Sequence, residues 1–202
     1  MPLTIPPGPF GAYLFDCDGT IADSMPLHYI AWSTALGEHG CPFPEDLFYA
    51  WGGWPVAKII DTLNHEHNLH MSIPLVAHRK EEIYYELLPQ LKAVPEVLDE
   101  INRCYGQIPF AVVSGSTRES VTASLTALNL LDKFPVLICA GDYAHGKPNP
   151  EPFLLAAQRL GVPPQSCLVF EDADAGIQAA TAAGMASVKI LAPYERHPVA
   201  VR

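Results

Sequence analysis

Two aspartates two positions apart, Asp16 and Asp18, follow a short apolar run and precede Gly19 and Thr20. Three other polar clusters share that setting. Ser114-Gly115-Ser116 follows Phe110–Val113, Gly146-Lys147-Pro148 follows Val136–Cys139 after a loop, and Glu171-Asp172 follows Cys167–Phe170. Singly, each has an ordinary structural use: acids are common in loops, Asp172 or Asp174 can cap a helix, and so can Ser116. Gathered on one edge of a parallel sheet, however, Asp16, Asp18, Glu171 and Asp172 repel one another, and Lys147 alone cannot offset them. A divalent cation can. Oxygen-only ligation with few protein carboxylates and open water positions suits Mg2+. Mg2+ and Lys147 together make a small positive site able to receive a phosphate. The Ser114 hydroxyl and backbone N–H groups around Asp18, Gly115 and Ser116 can hold its oxygens, and Gly19 lets the backbone come close. Asp16 then has the task of a nucleophile on phosphorus. Asp18 has that of a general acid and base, protonating the leaving oxygen and later taking a proton from water.

The elements that must position these residues are legible. Ala12–Phe15, Phe110–Val113, Val136–Cys139, Cys167–Phe170 and Ser187–Ile190 read as short strands covered on both faces, because none alternates cleanly. Between them lie helical patterns. Pro95 to Cys104 has apolar residues at helical spacing. Ser116-Thr117-Arg118-Glu119 reads as a capping box. Asn149 is placed to cap a helix with Pro150 in its first turn, and Gly161 to stop it. Asp174 to Ala183 is Ala-rich and ends at Gly184. The order predicts a doubly wound α/β core. Residues 24–91 break the rhythm with four helical stretches, about 24–38, 44–50, 55–67 and 74–91, in which Pro26, Pro55 and Pro74 suit first turns. The prediction is therefore a core of residues 1–23 and 92–202 with a helical insertion, 24–91, over the carboxyl ends of the strands, where open α/β sheets bind ligands.

A net charge of −10 disfavours nucleic acid and anionic membranes as partners. No apolar run approaches the length of a transmembrane helix, and the N-terminal stretch does not read as a secretory signal. Five cysteines without a C-x-x-C pair suit reduced thiols in a cytoplasmic protein rather than a disulfide or zinc framework. Nothing speaks to oligomeric state; monomer is the default.

FDCDGT, VVSGS, GKPNPEPF and FEDADAGIQAA, in that order, resemble the four motifs of the haloacid dehalogenase superfamily. The likeness runs from about residue 11 to 190. It implies a Rossmann-like core, and the insertion after the first motif resembles the α-helical cap of the β-phosphoglucomutase-like and fructose-1-phosphatase-like group. The resemblance also implies Asp16 as nucleophile and Asp18 as acid/base. It implies Mg2+ held by Asp16, the Asp18 backbone carbonyl and Asp172 with Glu171 close by, and phosphate held by Ser114 and Lys147. The activity it implies is hydrolysis of a small phosphate ester, a sugar phosphate above all.

The cap departs from the mutase pattern. An Arg that grips a second phosphate is expected where Val56 stands, in Gly52-Gly53-Trp54-Pro55-Val56. Lys58 is the nearest cation; it can face substrate or simply decorate a solvated helix face. His28 and Trp32, one helical turn apart, match cap positions that face the active site in the mutase-like group, and packing within the cap accounts for them equally well. Gly53 and Trp54, with Trp51, can line a sugar or pack the cap on itself. His65, His67, His70 and His78 fit no standard metal spacing and read as exposed. The alternatives to a phosphatase are a hexose-phosphate mutase, which needs that second phosphate grip, and a phospho-receiver module, which needs neither the insertion nor Asp18.

Overall fold

The computed structural model describes residues 3–52, 54–191 and 195. The chain divides into two compact units. Residues up to Ser24 and from Leu91 to Leu191 form one; Met25–Gln90 form the other.

The first unit is a five-stranded parallel sheet in the order β3-β2-β1-β4-β5. Its strands are β1 (Ala12–Phe15), β2 (Phe110–Thr117), β3 (Val136–Ala140), β4 (Cys167–Glu171) and β5 (Ala186–Lys189). Side chains alternate along each strand, and two apolar layers result. Tyr13, Phe15, Phe110, Val112 and Phe170 face one layer, closed by α5 (Pro95–Cys104) and α6 (Arg118–Ala127) through Val97, Ile101, Val121 and Leu125. Leu14, Ala111, Val113 and Val169 face the other, closed by α7 (Glu151–Leu160) and α8 (Asp174–Ala182) through Phe153, Ala156 and Ala179. This is the doubly wound arrangement. β1 is central, and the strand order reverses beside it, so the switch-point crevice opens at its carboxyl end. Phe15 and Phe170 stack there at 4.5 Å between centroids, immediately before Asp16 and Glu171.

The second unit contains four α-helices among the described residues, α1 (Met25–Gly37), α2 (Glu45–Ala50), α3 (Val56–His67) and α4 (Ile73–Leu87). They pack about Trp32, Leu36, Phe43, Phe48, Ile60, Leu63 and Val76. The chain leaves and rejoins the sheet unit at adjacent points: Asp23 N–H donates to Lys92 O at 2.8 Å and Val94 N–H to Ile21 O at 2.9 Å.

Three local expectations are corrected. The cap of α6 is Thr117, whose Oγ1 accepts from Ser120 N–H at 3.3 Å, not Ser116. α7 begins one residue late. Pro150 occupies its cap position, and Asn149 Oδ1 accepts from Glu151 N–H at 2.9 Å. β5 runs Ala186–Lys189, one residue ahead of the predicted Ser187–Ile190.

Candidate active site

Asp16 emerges from β1, and its N–H donates to Phe170 O at 3.0 Å, which ties it to β4. The chain then folds back tightly: Ile21 and Ala22 both donate to Cys17 O, at 3.0 and 2.9 Å. Gly19 lies in the left-handed region at φ 87°, and a Cβ on it would run into the Asp172 carboxylate. Glycine at 19 thus makes room for Asp172 beside Asp16.

The structure brings Asp16, Glu171 and Asp172 together. One carboxylate oxygen from each lies within 4.8 Å of the others, and all three residues are buried. Lys147 reaches them from the loop after β3. Its Nζ donates to Asp16 Oδ1 at 2.6 Å, to Glu171 Oε2 at 2.6 Å and to Val113 O at 2.9 Å. Glu151 holds that loop, accepting from Ala144 N–H at 2.8 Å and His145 N–H at 3.0 Å. Tyr143 Oη donates to Ser114 O at 3.0 Å and joins the same loop to β2.

Three buried carboxylates facing one ammonium are a poor fit for a closed ion-pair network. Burial pushes the Asp16 carboxyl up, with the Glu171 charge adding to it and Lys147 opposing it. Burial likewise raises Glu171. It lifts Asp172 from 3.8 to about 7, aided by Asp16 and opposed by the Thr20 hydroxyl, which donates to Asp172 at 3.1 Å. Burial works against the Lys147 charge, but Asp16 and Glu171 outweigh it and raise Lys147 above its ordinary value. The set is short of positive charge and offers hard oxygen donors at close range, which fits a Mg2+ ion. Asp16, Glu171 and Asp172 would supply its carboxylate oxygens.

Asp18 lies beside this cluster, with its carboxyl turned to two hydroxyls. Ser24 Oγ donates to Oδ1 and Ser116 Oγ to Oδ2, each at 2.7 Å. Ser114 is buried at the end of β2, where its hydroxyl accepts from Ser116 N–H at 3.0 Å; Gly115 between them is exposed.

Sequence reasoning missed Ser24, Thr20 and Gly176 as parts of this site. Gly176 sits in the first turns of α8, where a Cβ would strike the Glu171 carboxyl group. The glycine in FEDADAGIQAA, inside an Ala-rich helix, was the available signal for it.

In the second unit, Trp32 is in the core, edge-on to Phe43 at 5.9 Å. His28 is buried and stacks on Tyr84 at 4.0 Å between centroids. Trp54 stacks on Trp51 at 4.9 Å, and the exposed Lys58 holds its Nζ 3.7 Å from the Trp54 ring. Gly53 lies outside the described residues. His65, His67, His70 and His78 are exposed.

Residues 13–190 match the family model for haloacid dehalogenase-like hydrolases. The chain belongs to that family. This hydrolase is 37% identical over 182 residues to the fructose-1-phosphate phosphatase YqaB of Escherichia coli K12, a match covering 90% of this chain and 96% of that protein. It is 29% identical over 188 residues to the β-phosphoglucomutase of Bacillus subtilis, covering 89% and 82%. Among solved structures it is similar to the β-phosphoglucomutase of Clostridium difficile, with a TM-score of 0.76 at 28% identity over 88% of this chain and 83% of that one. No helix among the described residues is long and apolar enough to cross a membrane.

Proposed function

We propose that this hydrolase is a Mg2+-dependent phosphatase that acts on a sugar phosphate through an aspartyl-phosphate on Asp16. The observation that carries the reading is Asp16 itself. It stands at the carboxyl end of the central strand, in a buried carboxylate cluster, with Lys147 Nζ at 2.6 Å. The named relatives support the substrate class. Asp16 attacks phosphorus, and the bond from phosphorus to the ester oxygen breaks as Asp18 gives that oxygen a proton. Asp18 then takes a proton from the water that attacks the same phosphorus, freeing Asp16 and inorganic phosphate. Lys147, the Ser114 hydroxyl and the Gly115 backbone bind the transferring group. Bound Mg2+ supplies charge neutralisation of the phosphoryl oxygens.

We assign the helical unit the part of a cap that sets substrate choice, with Lys58 as its substrate-facing cation beside Trp54. We assign His28 and Trp32 support of that role from within the unit, Trp32 in its core and His28 stacked on Tyr84. Lys58→Met is expected to raise KM for the best substrate severalfold; an unchanged KM removes Lys58 from the site. Five buried, free cysteines support a reducing, cytoplasmic setting.

The deciding experiment is phosphate release from a panel of sugar and nucleotide monophosphates, with and without Mg2+, beside Asp16→Asn. The variant should lose at least about a thousandfold in kcat; equal activity overturns the mechanism. Glucose 1-phosphate belongs in the panel because the B. subtilis relative favours a mutase reading. Free phosphate is the expected product; conversion to glucose 6-phosphate with little free phosphate would establish the mutase instead.

A further inference from the structure

Ser116 stands where a helix cap was expected, yet it does not cap. Thr117 takes that task, and the Ser116 hydroxyl spans 98 residues of sequence to reach Asp18 Oδ2 at 2.7 Å. Ser116 is itself held in place. It lies on β2, and its own N–H donates to Ser114 Oγ at 3.0 Å. With Ser24 on Oδ1, both oxygens of the Asp18 carboxyl are anchored, one from the end of β2 and one from the end of the first-motif loop.

A serine hydroxyl has one donor and two acceptor lone pairs. It can donate to a carboxylate or accept from a carboxylic acid. Ser116 can therefore keep the Asp18 carboxyl in one plane in both of the protonation states that successive half-reactions require. We propose that Ser116 is a positioning residue for Asp18, fixing the carboxyl that delivers the proton to the leaving oxygen. The inference rests on the reading of Asp18 as general acid and base.

Its consequence depends on the leaving group. A sugar alkoxide cannot depart without a proton. p-Nitrophenolate is stable as an anion and can. Loosening Asp18 should therefore slow a sugar phosphate and largely spare p-nitrophenyl phosphate, whereas damage to the phosphate pocket would slow both alike. The parameter to read is kcat/KM, which covers phosphoryl transfer to Asp16 and leaves its later hydrolysis aside.

The test compares wild type, Ser116→Ala, Ser116→Thr and Asp18→Asn, with Mg2+, on p-nitrophenyl phosphate and on the sugar phosphate the wild type uses best. Ser116→Ala should lose about tenfold or more on the sugar phosphate and less than about threefold on p-nitrophenyl phosphate, since small misplacements of a reacting group carry penalties of that order. Ser116→Thr, which keeps the hydroxyl, should stay near wild type on both. Equal losses on the two esters, no loss on either, or a Ser116→Thr variant as impaired as Ser116→Ala overturns the inference. Asp18→Asn separates the two levels. If it too fails to discriminate between the esters, the acid/base reading falls; if it discriminates and Ser116→Ala does not, only the role of Ser116 falls.

Discussion

Lys147 divides its ammonium between Asp16 and Glu171, so the position of Glu171 controls how the cation meets Asp16, the proposed nucleophile. Gly176 is what leaves Glu171 its space. In Gly176→Ala the added methyl displaces a carboxyl that also accepts from Ala173 N–H at 3.1 Å. The Mg2+ concentration for half-maximal activity should rise about tenfold, as it does when groups supporting metal ligands are lost, with an overpacking cost of about 1–3 kcal/mol. A magnesium titration of activity beside a thermal melt checks both; an unchanged magnesium requirement would mean that Glu171 does not depend on Gly176. Asp172 is held in a similar way, between the missing Cβ of Gly19 and the Thr20 hydroxyl. Two glycines without chemistry of their own therefore set the spacing of two acids.

Among the elements, the loop from β3 to α7 carries most of the responsibility for Lys147, and Glu151 anchors it from the first turn of α7. The Ala144 N–H holds the Glu151 carboxyl below its ordinary 4.5, and the His145 ring and N–H contribute further. A lowered value means the anchoring is complete above pH 4.5 and is lost as pH falls through that lowered value. Near neutral pH, Glu151→Gln should raise KM for the phosphate ester about fivefold through a looser Lys147. Steady-state kinetics at saturating Mg2+ reads this directly, and an unchanged KM would show that the loop holds its shape without the charge. Short-range patterns made the strands and most helices legible in the sequence: an unbroken apolar run such as Cys167–Phe170 has few other uses in a chain of this kind. The four motif clusters were legible for the same reason, each following an apolar run: two of them overlap the strand's carboxyl end, at Ser114–Ser116 in β2 and Glu171 in β4. What the sequence concealed were hydroxyls whose partners are remote. Ser116 matched a capping pattern perfectly well, but a hydrogen bond to Asp18 claimed its side chain and the cap passed to Thr117. Ser24 was hidden for a different reason: its partner Asp18 is only six residues back, but the helical pattern covered it, and it serves the first-motif loop instead. Asn149 turned the chain rather than starting the helix, because Pro150 cannot donate and Glu151 N–H was the nearest donor to its side chain.

For the molecule as a whole, the buried acids link the site to global stability. Asp172 is raised from 3.8 to about 7, so over that interval the folded protein keeps a proton that the unfolded chain has released. Without a divalent cation, stability should therefore fall as pH rises through it. Mg2+ held by these carboxylates would bind their ionised forms and compete with protons, so its stabilising effect should be larger near about pH 8 than near about pH 5. Thermal melts in chelator and in Mg2+ at both pH values test this, with Asp172→Asn as the control that should flatten the difference; an equal Mg2+ shift at the two pH values would disconnect the carboxylates from the ion. The sheet order has a consequence for biosynthesis. β1 is made before both of its neighbours, β2 and β4, and Thr20 meets Asp172 across 152 residues. Such long-range pairing forms late. While the chain is still growing, Asp16 has neither Lys147 nor Glu171 to face, and the flanks of its strand lie open. Asp16 thus leaves the ribosome before Lys147 and Glu171 exist to meet it, so an unfinished chain carries the proposed nucleophile without the proposed reaction.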